Sequence, residues 1–289
     1  MTLNEHDAKL YFKLHPSLML FANERLKIAP ELQNIAALMT ANITLKKKIR
    51  DQVYEVPGII DDFVTNNPFN FDAEEIAIIK GWKNFIKGSF FILKHYKKYA
   101  IFLETNEPSK AYGVLGLTEP ISHVVSQTPA YVEAILLPFK NQIVYDGIIA
   151  PFSISFGSGY RLSLQDSFDK AKATYGIIES LPVKKLAESE SRQNLLKYYL
   201  KDIEFHQDDI NQLIEKDDQL KTLFYHEIAR KNARFFKKSL RQYDIRDCWF
   251  AVLGNVIIAS GKTKEEAKTS AGKIVAKQQE SLVFYFQCK

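Results

Sequence analysis

The sequence predicts an α+β protein in which helical segments flank a central antiparallel sheet. Two observations indicate this class. Apolar residues recur at helical spacing through residues 1–88 and again after Pro182, whereas residues 89–180 carry dense runs of β-branched and aromatic residues. The densest β signal lies at 131–159, where the apolar runs 132–137 and 143–149 flank a polar corner. That pattern is typical of a hairpin.

Residues 1–88 are predicted to form several helices. Leu10, Leu14 and Leu18 mark one apolar face, and His15-Pro16 is expected to interrupt it because proline restricts the residue before it. Asp72 and Glu75 have the spacing of a capping box, and apolar residues follow at helical spacing up to Ile86. The period changes at Gly88, where the sheet is expected to begin.

The central segment is predicted to hold short strands and one packed helix. Candidate strands lie at 90–93, 99–103 and 111–117, followed by the hairpin and by a further run at 152–156. Leu164, Phe168, Ala171 and Tyr175 then fall on one helix face, and Gly176 suits the residue after a helix end.

The C-terminal part is predicted to form a helical arm and a small ββα unit. The arm contains helices near 186–200, 210–220 and 220–240, and Gly254-Asn255 is a two-residue hairpin signal between the last two strands. Thr263 and Glu266 cap the final helix. These segments predict three parts: residues 1–183 with the sheet, 184–241 as the arm, and 242–289 as the ββα unit.

Composition limits the function classes. The 289 residues include 39 Lys and Arg against 34 Asp and Glu, a net charge of +5 that permits an anionic partner without requiring one. The two cysteines and six histidines show no metal-ligand spacing, so no metal and no cofactor is predicted. The absence of a signal-like start and of an apolar run of roughly 20 residues favours a cytoplasmic protein without a membrane span.

One group of residues suggests a catalytic cleft. Asp146 interrupts an apolar run, Glu133 lies on the facing strand, and Arg161 follows the glycine-rich Gly157-Ser158-Gly159. The two carboxylates could perform acid–base chemistry or hold a metal, although no third ligand follows at a recognisable spacing. The glycine-rich segment with Arg161 could hold an anion such as a phosphate group. The alternative is that Asp146-Gly147 forms a turn or bulge and that the glycines form an ordinary loop. This second interpretation is favoured because Asp-Gly is strong turn chemistry.

A second group suggests a nucleic-acid site. Residues 221–241 carry seven basic side chains against one acidic side chain, a net charge of +6. Arg230, Arg234, Lys237 and Arg241 share one helix face, and Lys264 and Lys268 could extend it from the last helix. The alternative is that this stripe pairs with the acidic segment 208–218. The sequence leaves both possibilities open.

Two resemblances can be stated. The segments WKNFIKGSFF (82–91), YGVLGL (112–117), LLPFK (136–140) and YDG (145–147) resemble a family of uncharacterised bacterial proteins over about residues 5–183. That resemblance implies a bacterial origin and supplies no activity. The segment GKTKEEAK (261–268), after a hairpin, is similar to the start of the final helix of a double-stranded RNA-binding domain. It departs from that pattern at Glu265 and Glu266, where lysine is favoured, and in showing two strands instead of three.

Together these observations favour a non-catalytic binding protein whose partner is nucleic acid, contacted through the C-terminal arm. There are two alternatives. One is an enzyme that uses a cleft near Glu133, Asp146 and Arg161, and the other is a protein-interaction scaffold. The sequence does not determine the oligomeric state.

Overall fold

The computed structural model describes residues 1–184 and 186–289, and the chain divides into two compact units, Met1–Leu186 and Ala187–Lys289. The predicted α+β class is confirmed, because each unit combines helices with its own sheet. The division lies close to the predicted boundary at 183. The second unit contains residues of both the predicted arm, 184–241, and the predicted ββα unit, 242–289.

The first unit opens with five helices. Asparagine side chains cap the first three of them by accepting a backbone N–H, and the predicted capping box of Asp72 and Glu75 is present at the fifth. The helices are α1 (Glu5–Leu26), α2 (Ile35–Thr40), α3 (Ile43–Glu55), α4 (Ile59–Asn66) and α5 (Ala73–Gly81).

Helix α1 continues through Pro16, so the predicted interruption at His15-Pro16 is wrong. A proline inside a helix removes one hydrogen bond and costs about 3 kcal/mol or more. Leu14 and Leu18, on either side of it, are fully buried in the main core. Burial of such side chains contributes about 1.5–3 kcal/mol each, which is enough to keep the helix intact.

The sheet of the first unit closes on itself. Strand β1 pairs with both β2 and β4, and the order β1-β2-β3-β5-β4 therefore forms a five-stranded ring. Most pairings are antiparallel as predicted, but β3 runs parallel to β5 and β7. The strands are β1 (Ile86–His95), β2 (Ala100–Glu104), β3 (Ala111–Leu115), β4 (Ala130–Phe139), β5 (Gln142–Tyr145), β6 (Ala150–Pro151) and β7 (Ile177–Ile178).

Two helices complete this unit, α6 (Ile121–Val124) and α7 (Ser158–Tyr175). Helix α7 packs Leu164, Phe168 and Ala171 against residues of β1, β2 and β3, as the helix face in the sequence predicted. The inward-facing residues of the strands join the N-terminal helices in a separate, larger core. The predicted strand at 152–156 does not form. The preceding residues Ala150–Pro151 pair with β4, and residues 152–156 are mostly exposed.

The second unit contains four helices and a three-stranded antiparallel sheet of order β10-β8-β9. Gly254-Asn255 forms the predicted hairpin turn, with Gly254 at φ 61°. Strand β10, which pairs with β8, was not predicted. The elements are α8 (Glu188–Tyr199), α9 (Gln207–Glu215), α10 (Asp218–Gln242), β8 (Cys248–Leu253), β9 (Val256–Gly261), α11 (Lys264–Gly272) and β10 (Phe284–Cys288).

Helices α10 and α11 cover opposite faces of this sheet. Ala229 and Ala233 of α10 pack on Phe250 and Phe286, whereas Ala271 of α11 packs with residues of the other face, including Ala251 and Val283. Successive residues of a strand point to opposite faces, which explains why neighbours in β8 belong to different cores. No helix that the structure describes is long and apolar enough to cross a membrane.

Candidate functional site

The predicted carboxylate Asp146 lies immediately after β5, in a turn that Gly147 completes at φ 95°. The turn interpretation of Asp146-Gly147 is therefore confirmed. The side chain is completely buried: its Oδ2 accepts a hydrogen bond from Arg50 Nη1 at 2.6 Å, and its Oδ1 accepts the backbone N–H of Ile148 at 3.2 Å. Arg50, from α3, is itself only 5% exposed, so the two form a buried ion pair.

Burial and the ion pair act on Asp146 in opposite directions. Burial raises its pKa to about 6, and Arg50 opposes that rise. For Arg50, burial would lower the pKa, but Asp146 and Asp51 outweigh it and the pKa is raised. The Arg50 Nε atom lies 3.0 Å from Asp51 Oδ1 without an aligned hydrogen bond. The pair thus holds α3 against the loop after β5.

Aromatic residues and a histidine surround this ion pair. His15 Nε2 lies 3.1 Å from the Tyr54 hydroxyl, and burial, followed by the charge of Arg50, lowers the His15 pKa to about 3. Tyr11 stacks on His15, and burial raises its pKa well above the ordinary value. The histidine is therefore neutral and the tyrosines are protonated at neutral pH. Neither His15 nor Arg50 was predicted, because no local pattern pairs them with Asp146.

The structure does not bring the three predicted cleft residues into one cavity. Asp146 borders a cavity of about 110 Å³ against α1 and α2, with Met19 and Met39 in its wall. Glu133 borders a different cleft of about 290 Å³, and its Oε2 lies 3.4 Å from Lys47 Nζ. Because the Asp146 side chain is fully buried and engaged by Arg50, it is not presented to a substrate in either cavity.

Arg161 lies apart from both cavities, in the first turn of α7. Its guanidinium donates to the backbone carbonyls of Phe156 and Thr128, at 3.0 and 3.2 Å. It therefore fastens the loop before α7. Within residues 1–184 and 186–289, no group of three His, Cys, Asp or Glu side chains could hold a metal ion.

The five-stranded ring of the first unit is a small closed barrel, and its outer surface offers one further face on which ligands could bind. Small five-stranded Greek-key barrels often bind oligonucleotides or oligosaccharides on the outer surface of their second and third strands. Here Ile101, Leu103 and Ala111 on that surface are buried beneath Phe168 of α7. The chain's own helix occupies this surface, so it offers no open site.

The predicted basic stripe lies on the solvent-facing side of α10. Arg230, Arg234 and Arg241 are exposed, and Lys237 is half-buried. Arg234, Lys237, Lys238 and Arg241 line one shallow, open stretch of the helix surface, together with Gln242 and with no carboxylate. We call these four residues and Arg230 the α10 basic face.

The acidic segment does not neutralise the α10 basic face. Asp217 pairs with Arg192 at 3.3 Å and caps α10, and Asp209 contacts His206. Asp208 and Glu215 border a separate hollow near Lys221. Among the described residues, one member of the α10 basic face forms an ion pair: Arg230 Nη1 lies 2.6 Å from Glu227 Oε1. The structure therefore does not show the alternative in which the basic stripe pairs with the acidic segment 208–218.

Lys264 and Lys268 do not extend the α10 basic face. They lie on α11, which packs on the opposite side of the sheet, and Lys264 Nζ lies 5.8 Å from the centre of the Trp249 ring. The sequence could not show this, because the side of the sheet that a helix covers depends on tertiary packing.

Comparisons with known proteins add no homology argument. No protein-family model matches the chain, and neither a curated protein nor a solved structure matches it. The resemblance to a bacterial family and the similarity to a double-stranded RNA-binding domain stay predictions.

Proposed function

We propose that this chain is a non-catalytic nucleic-acid-binding protein of the bacterial cytoplasm, and that the α10 basic face is its contact surface. The observation that carries the proposal is an open helix surface lined by four basic side chains and no carboxylate. Guanidinium and ammonium groups that face solvent together form an electrostatic site for a phosphate backbone.

The packing of α10 supports this assignment. Ala229 and Ala233 bury an adjacent side of the helix against the sheet. Lys237 Nζ lies 5.6 Å from the centre of the Phe286 ring, and Arg241 Nε donates to the Lys289 carbonyl at 2.8 Å. The stripe is thus held by a folded scaffold, which reduces the conformational entropy lost on binding.

The experiment is a titration of labelled DNA and RNA with the full chain, followed by fluorescence anisotropy at several salt concentrations. Each phosphate neutralised contributes roughly 0.7 to the log–log salt slope on single strands and roughly 0.9 on duplex DNA. Replacing Arg234, Lys237 and Arg241 with Ala should therefore lower the slope by roughly 2 to 3 and weaken binding at low salt.

A matched control removes the same charge from elsewhere in the unit. Lys264, Lys268 and Lys273 lie on or next to α11, and replacing them with Ala should leave the slope nearly unchanged. Circular dichroism spectra and urea titrations followed by circular dichroism check that both triple variants remain folded. Equal losses of affinity and of salt slope in the two variants would show that nucleic acid is attracted by the overall charge and not by a defined site. No binding by the wild-type chain at low salt would reject the proposal in favour of a protein-interaction scaffold.

A further inference from the structure

Exposed aromatic side chains accompany the α10 basic face. Phe235 is 68% exposed and Tyr243, at the end of α10, is 79% exposed. The neighbouring Phe236 instead packs in the core of the unit, with its ring stacked on that of Phe286 at 6.5 Å. A single exposed apolar side chain is common on protein surfaces. Two nearly free rings beside a basic surface are a more specific arrangement.

The helical register places Phe235 directly among cations. Residues three and four positions apart are neighbours on a helix surface. Lys238 therefore lies one turn after Phe235, and Arg234 precedes it. Lys231 lies one turn before Phe235, and its Nζ donates a hydrogen bond to the Leu200 backbone carbonyl at 2.5 Å. All three flanking residues are exposed. Phe235 thus lies at the margin of the α10 basic face, where a chain whose phosphates contact Arg234 and Lys238 could turn its bases toward the ring.

From this arrangement we infer that the α10 basic face binds single-stranded nucleic acid, with Phe235 as a platform on which a base stacks. This inference rests on the proposed function. Single-stranded nucleic acids are bound by basic surfaces combined with aromatic stacking, and stacking tolerates any base because every base has a π face. The bases of a duplex are paired and stacked on each other, so Phe235 has no base to contact there.

The position of Tyr243 sets an approximate length for the bound strand. Tyr243, the C-cap residue of α10, follows Phe235 by eight residues, which corresponds to a rise of about 12 Å along the helix axis between the two backbone positions. Stacked nucleotides repeat at about 3.4 Å along one strand, so this rise corresponds to roughly three to four nucleotides. Affinity should therefore increase as an oligonucleotide lengthens beyond about four nucleotides.

A membrane surface is the other polymer-like partner that a basic, aromatic helix can contact. A helix that lies in a bilayer surface inserts a broad apolar face. The apolar side of α10 is already buried against the sheet through Ala229 and Ala233. Phe235 and Tyr243 alone do not replace such a face, so the observations favour nucleic acid.

The test compares Phe235→Ala with wild type on single-stranded DNA and RNA of about twelve nucleotides and on the matching duplex, at one salt concentration. Loss of one stacked base should weaken single-strand binding by roughly five- to 150-fold and leave duplex binding within about twofold. Phe235→Trp should retain single-strand affinity, and bound single strands should quench the new indole. Phe224→Leu, a half-buried site at the other end of α10, is the control for loss of a ring.

The possible results separate the inference from the proposed function. If no nucleic acid binds, both fail. If single strands and duplexes bind and Phe235→Ala affects neither, or both equally, the stacking inference is overturned while the phosphate site stands. Binding of phosphatidylserine-containing vesicles that depends on Phe235, with no nucleic-acid binding, would replace both proposals with a membrane surface.

Discussion

The Arg50–Asp146 ion pair allows a stability prediction whose size follows from burial. The two side chains are 5% and 0% exposed. Arg50→Met removes the charge but keeps a long apolar side chain, and leaves the Asp146 carboxylate with backbone partners alone. Removing one partner of a buried ion pair costs about 3–5 kcal/mol because the other charge stays buried and unpaired. We expect the free energy of unfolding of the first unit to fall by that amount at about pH 8.

This loss should shrink as the pH falls. Burial raises the pKa of Asp146 to about 6 from 3.8 even with Arg50 present, and without Arg50 it should rise further. A carboxyl whose pKa is higher in the folded state binds its proton more tightly there, so folding is favoured as the pH falls through the folded pKa. Between about pH 8 and pH 6 the variant should regain up to about 1.4 kcal/mol per pH unit relative to wild type.

In the wild-type protein the same linkage has a defined window. The stabilisation associated with protonated Asp146 is present below pH 3.8 and is lost as the pH rises toward about 6. Asp146→Asn cannot ionise, so the difference in stability between this variant and wild type should change with pH across that window.

The assay uses the two tryptophans. Trp82 is fully buried in the first unit and Trp249 lies in the second, so a Trp249→Phe background makes Trp82 fluorescence report unfolding of the first unit. Urea titrations across the pH range then give the free energies. Arg25→Met is the matched control, because its pair with Asp62 is about half exposed and should contribute under about 1 kcal/mol. An Arg50→Met loss that does not vary with pH would refute the reasoning.

Two further predictions concern the backbone. Gly116→Ala should strongly destabilise the first unit, because the added Cβ would lie 2.0 Å from the Glu119 carbonyl oxygen. Gly81 has open space around it and a helical φ of −59°, so Gly81→Ala should instead stabilise the unit by about 0.4–1 kcal/mol. Urea titrations followed by Trp82 fluorescence measure both changes. Asp72→Ala should cost about 0.5–2 kcal/mol by removing the N-cap of α5, and Asp72→Ser should restore most of it; equal stabilities for the three proteins would contradict the capping role.

Several elements could be predicted from the sequence because their causes are local. The capping box of Asp72 and Glu75 and the hairpin turn at Gly254-Asn255 depend on residues within a few positions of each other. The helical spacing that puts Phe168 and Ala171 on one face of α7 is likewise local. The α10 basic face belongs to this class, since spacing alone places Arg230, Arg234, Lys237 and Arg241 together.

Other features could not be predicted because they join residues that are distant in sequence. Arg50 and Asp146 lie 96 positions apart, and although Asp146 interrupts an apolar run, nothing in the sequence pairs it with Arg50. Pro16 stays inside α1 because long-range burial offsets a local penalty. Strand β10 lies more than 20 residues after β9, with no tight turn to signal its pairing with β8.

The candidate site divides in the same way. Local spacing already accounts for the charge and the helical register of the α10 basic face. Three features depend on tertiary packing: Lys264 and Lys268 lie on the opposite side of the sheet, Glu133 and Asp146 border different cavities, and Phe235 faces solvent. The physical reason is that spacing fixes which side chains share a face, whereas exposure depends on which face the rest of the chain buries.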